Sequence, residues 1–297
     1  MGGIAFVFSG QGDQHPGMGQ ALCQGYEAAE KVFAVCDALR PGTSRQCFEG
    51  TAEELKETVN TQPCLFAMEL AAAEVLKEKG VEPDAVAGFS LGEVAAAAVA
   101  GVFSLENGFR VVCKRGRLMQ AAAETADTAM AAVVKLTAEQ VAEIARRYTD
   151  IYPVNFNSPG NITVSGLAEQ MPAFSADVKA AGGRALPLKV KGAFHSPFMS
   201  EAAHAFAEEL AAVELHGPGI PLYSNVTAEP YGDPAQLLAK QIESPVRWEH
   251  LIRNMIASGI DTFIEIGPGR TLTNMIRKID ETVTAKTVTE YLGELVC

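Results

Sequence analysis

No Cys-x-x-Cys pair occurs among the 297 residues, and none of the six cysteines stands near a histidine at metal-ligand spacing. Zinc-ribbon and dithiol redox readings therefore fall away, and no metal site is expected. No apolar run approaches the roughly 18 to 20 residues that a membrane span needs. The N-terminal residues carry no basic segment followed by an apolar one, so the expected setting is the cytoplasm, with reduced thiols. Basic residues are in the minority: 24 Lys and Arg face 36 Asp and Glu, for a net charge of −12. That balance argues against nucleic acid or an anionic membrane as partner, while leaving room for a local basic patch. Internal repeats and low-complexity tracts are absent. Gly10-x-Gly12, after the first apolar run, invites a dinucleotide reading, but the third glycine is missing and His15 stands in its place. Gly17-x-Gly19 runs in the same way into Leu22, and no nucleotide cofactor is expected.

With 48% hydrophobic and 20% charged residues, the remainder reads as a globular chain. Its length suits one large domain with an insertion, or two modest domains. The informative stretch is Gly88-Phe89-Ser90-Leu91-Gly92, between the apolar run Ala85-Val86-Ala87 and an alanine-rich helix that Gly101 ends. Gly-x-Ser-x-Gly arises easily by chance in a chain with 27 glycines. Between a strand and a helix, however, it has the form of a nucleophile elbow, whose glycines are expected to let the backbone turn sharply beneath the serine. Ser90 then lies at a helix N-terminus, where peptide dipoles favour developing negative charge, and the Leu91 amide is a natural oxyanion donor. The plainer alternative is a helix N-cap serine.

Along the chain, Ile4–Phe8 has the continuous apolar pattern of a strand buried on both faces of a parallel sheet. Residues 19–60 read as helical pieces with a capping box at Thr51-x-x-Glu54, and Thr61-Gln62-Pro63 opens a helix running to Lys79. Another helix spans about 105–123. Between about 125 and 198 the pattern becomes β-α-β-β-α-β, with a second capping box at Thr137-x-x-Gln140, which predicts an inserted ferredoxin-like unit. Helix and strand then alternate again: a strand at 221–225, a helix at 248–258, a strand at 261–266, and a last helix after Gly267-Pro268-Gly269.

A serine hydroxyl needs a base within hydrogen-bond reach. His15, His204, His216 and His250 sit where surface histidines are ordinary. His195 differs, because Gly192-Ala193-Phe194-His195-Ser196-Pro197 lies where the small unit returns to the large one and a cleft would form. An esterase of α/β-hydrolase type would also need an Asp or Glu between Ser90 and His195. Several stand there, so a serine hydrolase or thioesterase remains open from the residues alone.

Four separated segments together resemble the malonyl-CoA:acyl carrier protein transacylase family, including the acyltransferase domains of polyketide synthases. They are residues 6–12 (Phe-Val-Phe-Ser-Gly-Gln-Gly), 88–93 (Gly-Phe-Ser-Leu-Gly-Glu), 115–120 (Arg-Gly-Arg-Leu-Met-Gln) and 192–196 (Gly-Ala-Phe-His-Ser). Thr61-Gln62-Pro63, Asn157-Ser158-Pro159, Ser224-Asn225-Val226-Thr227, Pro245-Val246-Arg247-Trp248 and Gly267-Pro268-Gly269 extend the likeness over essentially the whole chain. The resemblance implies an α/β protein: an α/β-hydrolase-like parallel-sheet core, residues 1–124 and 199–297, with an inserted ferredoxin-like subdomain, residues 125–198. It implies malonyl transfer from malonyl-CoA to the phosphopantetheine thiol of an acyl carrier protein, in fatty-acid or polyketide synthesis, with no cofactor beyond the coenzyme A thioester substrate.

Carried onto this sequence, Ser90 is the acylated nucleophile and His195 the base, Gln11 and Leu91 supply oxyanion amides, and the Gln241 main-chain carbonyl orients the histidine. Arg115 takes the malonyl carboxylate, for which a bidentate guanidinium suits better than lysine. Gln62 and Phe194 complete the substrate side. Ala-Phe-His at 193–195 resembles malonyl-selective relatives, a phenyl ring filling the space a C2 methyl would take. Phe89 stands where histidine is frequent in the family, and Ser9 where proline is. A monomer is expected. Because carrier proteins are typically acidic, docking would need a local basic surface, for which Lys189, Lys191, Arg277 and Lys278 are the candidates. A non-catalytic carrier-binding module is the remaining alternative, disfavoured by the intact Ser90, His195 and Arg115.

Overall fold

A computed structural model describes residues 2–190 and 192–293. The strands are β1 (Gly3–Phe8), β2 (Ala85–Gly88), β3 (Thr128–Val134), β4 (Ile151–Ser158), β5 (Asn161–Leu167), β6 (Arg184–Pro187), β7 (Leu222–Tyr223), β8 (Ile260–Ile266) and β9 (Thr284–Thr287). One sheet runs β7-β2-β1-β8-β9 with every neighbour parallel. Successive β1 side chains enter different cores. Phe6 and Phe8 pack with Phe33, Phe66 and Phe109 of the helices Glu27–Leu39, Thr58–Glu78 and Leu105–Ala123, whereas Ala5 and Val7 pack with Trp248, Phe263 and Ile276. Burial on both faces is why this strand is an unbroken apolar run.

The second sheet, β4-β5-β3-β6, is antiparallel throughout and is covered by the helices Ala138–Ala145 and Met171–Ala180. Its own core joins Val133, Ile162 and Val164 to Val141, Ile144, Phe174 and Val178. Strand order and chain order together are those of a ferredoxin-like unit, so the fold is the α/β architecture the sequence led us to expect. Both capping boxes form. The small sheet is tied to the large unit through β4, which bonds the loop before the helix Trp248–Ala257: the Phe156 amide donates to Val246 O at 2.9 Å, and the Val246 amide to Val154 O at 2.8 Å.

Two local expectations are corrected. The helix expected to open at Thr61 starts at Thr58, leaving Pro63 inside it rather than in its first turn. The earlier start has a tertiary cause: the Val59 amide donates to Gln120 Oε1 of the neighbouring helix at 2.9 Å, satisfying a first-turn donor from outside. The chain also continues past the expected last helix, Thr271–Ile279, into β9 and a short capped helix, Val288–Leu292. Among the described residues no helix is long and apolar enough to cross a membrane.

Candidate active site

The elbow forms where β2 meets the helix Gly92–Val99, and its strain is carried by the serine. Ser90 has φ 53°, in the left-handed region that non-glycine residues rarely enter. Gly88 and Gly92 are not left-handed, so the expectation that they supply turning freedom is corrected. They permit close approach instead. A Cβ on Gly88 would lie 1.9 Å from the Gly92 carbonyl carbon, and one on Gly92 would lie 2.2 Å from Phe8 O. The unfavourable Ser90 conformation costs about 1–3 kcal/mol. It is held by Asn225, whose Oδ1 accepts from the Ser90 amide at 2.8 Å while its Nδ2 donates to Gly88 O at 2.7 Å.

His195 reaches this serine from the loop after β6. Its φ is 61°, and its amide donates to Ile242 O at 3.2 Å, which seats the loop against the end of the helix Pro234–Gln241. Nδ1 lies 2.9 Å from the Gln241 carbonyl oxygen and Nε2 lies 2.7 Å from Ser90 Oγ. A carbonyl can only accept, so Nδ1 bears the proton and Nε2 is left to accept from the serine. The ring partner is a carbonyl that follows His195 in the chain, and among the described residues no carboxylate bonds to Nδ1. Burial first, and the Arg115 guanidinium second, lower the histidine pKa from 6.5 to about 4. The other four histidines are exposed.

Arg115 comes from the helix Leu105–Ala123 and is 1% exposed. Its Nη2 donates to Gln241 Oε1 at 2.7 Å and lies 3.4 Å from Ser90 Oγ, whereas Nε and Nη1 have no partner. Two unengaged donors on a buried cation are costly unless an anion takes them. Burial pulls this guanidinium down to about 10, still charged at neutral pH. Gln62 is buried, with Nε2 on Met119 Sδ and Oε1 unpartnered. Among the described residues, no acceptor engages the backbone N–H of Gln11 or Leu91. Phe194 is buried beside the base, where its ring would meet a Cβ on Gly192 at 3.2 Å. Phe89 stacks edge-on against Trp248, with centroids 5.5 Å apart. Among the described residues there is no group of three or more His, Cys, Asp or Glu side chains suited to a metal ion.

A family model for the acyl transferase domain matches residues 5–295. The chain belongs to the acyl transferase domain family. It is 40% identical over 289 residues, 94% of this chain and 91% of the other, to a malonyl CoA-acyl carrier protein transacylase of Bacillus subtilis (strain 168). Among solved structures it is similar to the malonyl CoA-acyl carrier protein transacylase of Clostridium perfringens (33% identity, TM-score 0.94, covering 98% of this chain and 96% of that one). It is likewise similar to a malonyl-transacylase solved with its holo type II PKS acyl-carrier protein (34% identity, TM-score 0.92, 96% and 95% covered).

Sequence reasoning missed the part of this acyl transferase that lies behind the reacting groups. Glu93 and Asn225 stood in the matching segments and drew no role, and Tyr231 drew no notice. Glu93 is fully buried, and its carboxylate accepts from the Tyr231 hydroxyl, from Gln241 Nε2 at 2.6 Å and from the Asn225 amide at 3.2 Å. A glutamate in the first turn of a helix ordinarily reads as a solvated partner of the dipole, so only long-range contacts could have revealed it. Of the basic candidates for docking, Arg277 is engaged by Ala285 O at 2.7 Å and Glu290 at 3.5 Å, while Lys191 lies outside the described residues.

Proposed function

We propose that this acyl transferase moves a malonyl group from malonyl-CoA to the phosphopantetheine thiol of an acyl carrier protein through a malonyl-Ser90 intermediate, feeding fatty-acid or polyketide synthesis. The observation that carries the reading is the buried Arg115, with Nε and Nη1 unengaged a few ångströms from a serine already bonded to a neutral histidine. A carboxylate one methylene from the thioester carbonyl suits that arrangement. His195 Nε2 takes the Ser90 proton as Oγ bonds to the carbonyl carbon, and the Gln11 and Leu91 amides face the oxyanion. The C–S bond then breaks and His195 returns the proton to the departing thiol. In the second half-reaction the carrier thiol gives its proton to His195, attacks the malonyl-serine ester, and Ser90 leaves with the proton back on Oγ. The Gln241 carbonyl does the orienting work that a carboxylate does in a hydrolase triad. Gln62 and Phe194 border the acyl group.

The coenzyme A thioester is a substrate in this scheme, not a resident cofactor. Residues 1–124 with 199–297 act as the catalytic unit, and residues 125–198 as the insert that delivers the base. The two sheets, which share no strand, support that division. A reduced, cytoplasmic setting agrees with Cys23, Cys36, Cys47, Cys64 and Cys113 being unbridged. A monomer agrees with Leu186 and Leu188 being the large hydrophobics left exposed among the described residues.

Intact mass after mixing with malonyl-CoA tests the reading. Wild type gains one malonyl adduct that carrier thiol discharges, whereas Ser90→Ala gains none and Arg115→Ala loses malonyl but keeps acetyl loading. A full adduct on Ser90→Ala, or equal loss of both acyl groups in Arg115→Ala, would overturn it.

A further inference from the structure

Behind the reacting groups, the Gln241 carboxamide bridges two buried charges. Its Nε2 donates to Ser90 O and to Glu93 Oε2, each at 2.6 Å, and its Oε1 accepts from Arg115 Nη2 at 2.7 Å. An amide can present its oxygen to a guanidinium only if its nitrogen faces acceptors on the other side. Ser90 O and Glu93 Oε2 are those acceptors, with Asn225 Oδ1 a further one at 3.4 Å. Glu93 itself is fixed by two donors on Oε1, the Tyr231 hydroxyl and the Asn225 amide. Every contact to its carboxylate comes from a donor, the pattern of an ionised acceptor. We propose that Glu93, held by Tyr231, is a positioning residue that locks the orientation of the Gln241 amide, and thereby aims Arg115 so that Nε and Nη1 stay open for the substrate carboxylate.

The proposal rests on the malonyl-transfer reading and deepens it: acyl-group selectivity is set two residues back from the substrate. Glutamine at 93 cannot do the same work. With its oxygen toward Tyr231 and Asn225, its NH2 meets the Gln241 NH2. Turned over, its NH2 meets the Asn225 N–H. Either way donors face each other, and relief by flipping Gln241 would put an NH2 against the guanidinium and an oxygen against Ser90 O. The ionisable groups around Glu93 are Arg115 from the helix Leu105–Ala123, Tyr231 from the loop after β7, and His195 through Gln241. Burial raises the Glu93 pKa to about 7, with the Tyr231, Gln241 and Asn225 hydrogen bonds and the Arg115 charge opposing that rise. Protonation would replace one acceptor by a donor, so the lock loosens as pH falls.

The test is competition between malonyl-CoA and acetyl-CoA for the full-length enzyme, read as the ratio of acyl-enzymes by intact mass from pH 5.5 to 8.5. Glu93→Gln should lower the malonyl:acetyl ratio by roughly ten-fold or more, the usual worth of a hydrogen bond to a charged group, while acetyl loading stays within a few-fold of wild type. Tyr231→Phe removes one donor from Glu93 at constant shape. Its ratio should match wild type at high pH and begin to fall at a higher pH than in wild type. An unchanged ratio in folded Glu93→Gln, or equal loss of both acyl groups, would refute the positioning role. If Glu93→Gln does not fold, a Tyr231→Phe ratio that tracks wild type across the pH range refutes it. Failure of the underlying reading looks different: wild type itself would show no malonyl preference.

Discussion

The pH dependence of acylation gives the sharpest check on the electrostatics of the site. His195 must be neutral to accept the Ser90 proton, and its pKa falls from 6.5 to about 4 through burial and the Arg115 charge. At pH 5.5 an ordinary histidine would be neutral in about one molecule in ten, whereas this one is neutral in nearly all. The single-turnover rate of acetyl-Ser90 formation at limiting acetyl-CoA reports the free enzyme and does not depend on how Glu93 aims Arg115. It should therefore hold within about two-fold between pH 7.5 and 5.5, where an unperturbed base would lose about ten-fold. Saturating malonyl-CoA should show an acid limb at higher pH, because the bound carboxylate neutralises the guanidinium that depresses the histidine. Arg115→Met should move the limiting-substrate limb upward without reaching 6.5, since burial is the larger cause and survives the substitution. A limb centred near 6.5 in wild type, reversible on return to pH 7.5, would refute the reasoning.

The elbow and the seam beside the base offer two further checks. Gly92→Ala places a methyl 2.2 Å from Phe8 O and 2.5 Å from Ser9 O, both rigid backbone, so the unfolding free energy from denaturant titration should drop by about 3 kcal/mol and malonyl loading should fail; wild-type stability would contradict the close-approach account. Phe194→Ser removes a buried ring from the large core and should narrow any malonyl preference over methylmalonyl by up to roughly ten- to two-hundred-fold. An unchanged ratio in a folded, active variant would place methyl exclusion elsewhere.

What could be read in the sequence was local. The β1 run, both capping boxes and the β-α-β-β-α-β order each depend on residues within a few positions of one another, and each formed. The elbow was legible as a motif but not as a mechanism. Its glycines looked like hinges, and their neighbours at 1.9 to 2.5 Å come from tertiary approach that no spacing rule encodes. Pro63 was misplaced because Gln120, sixty-one residues on from Val59, caps the turn before it. β9 escaped notice because Thr-Ala-Lys-Thr is a short edge strand with alternating burial, and its polar half resembles a loop. Glu93 was invisible as a buried charge because its partners lie 132 to 148 residues away.

Opposed titrations also bear on how the fold tolerates this much buried charge. The His195 pKa is depressed, so the unfolded chain takes up that proton first, and stability drains away as pH falls from 6.5 through about 4. The Glu93 pKa is raised from 4.5 to about 7, so the native state takes up that proton first, and acidification over the same range restores stability. Each displacement is worth about 3 kcal/mol at most, and the two carry opposite signs. The pair therefore leaves stability nearly level across mild acid, although either group alone would tilt it. Glu69 has no such counterweight. Burial raises its pKa, the neighbouring Glu265 adds to the rise, and both of its oxygens lack a side-chain partner. Its contribution is present at low pH and lost as pH climbs through the raised value, so its cost falls on the alkaline side, where His195 and Glu93 have none to offset.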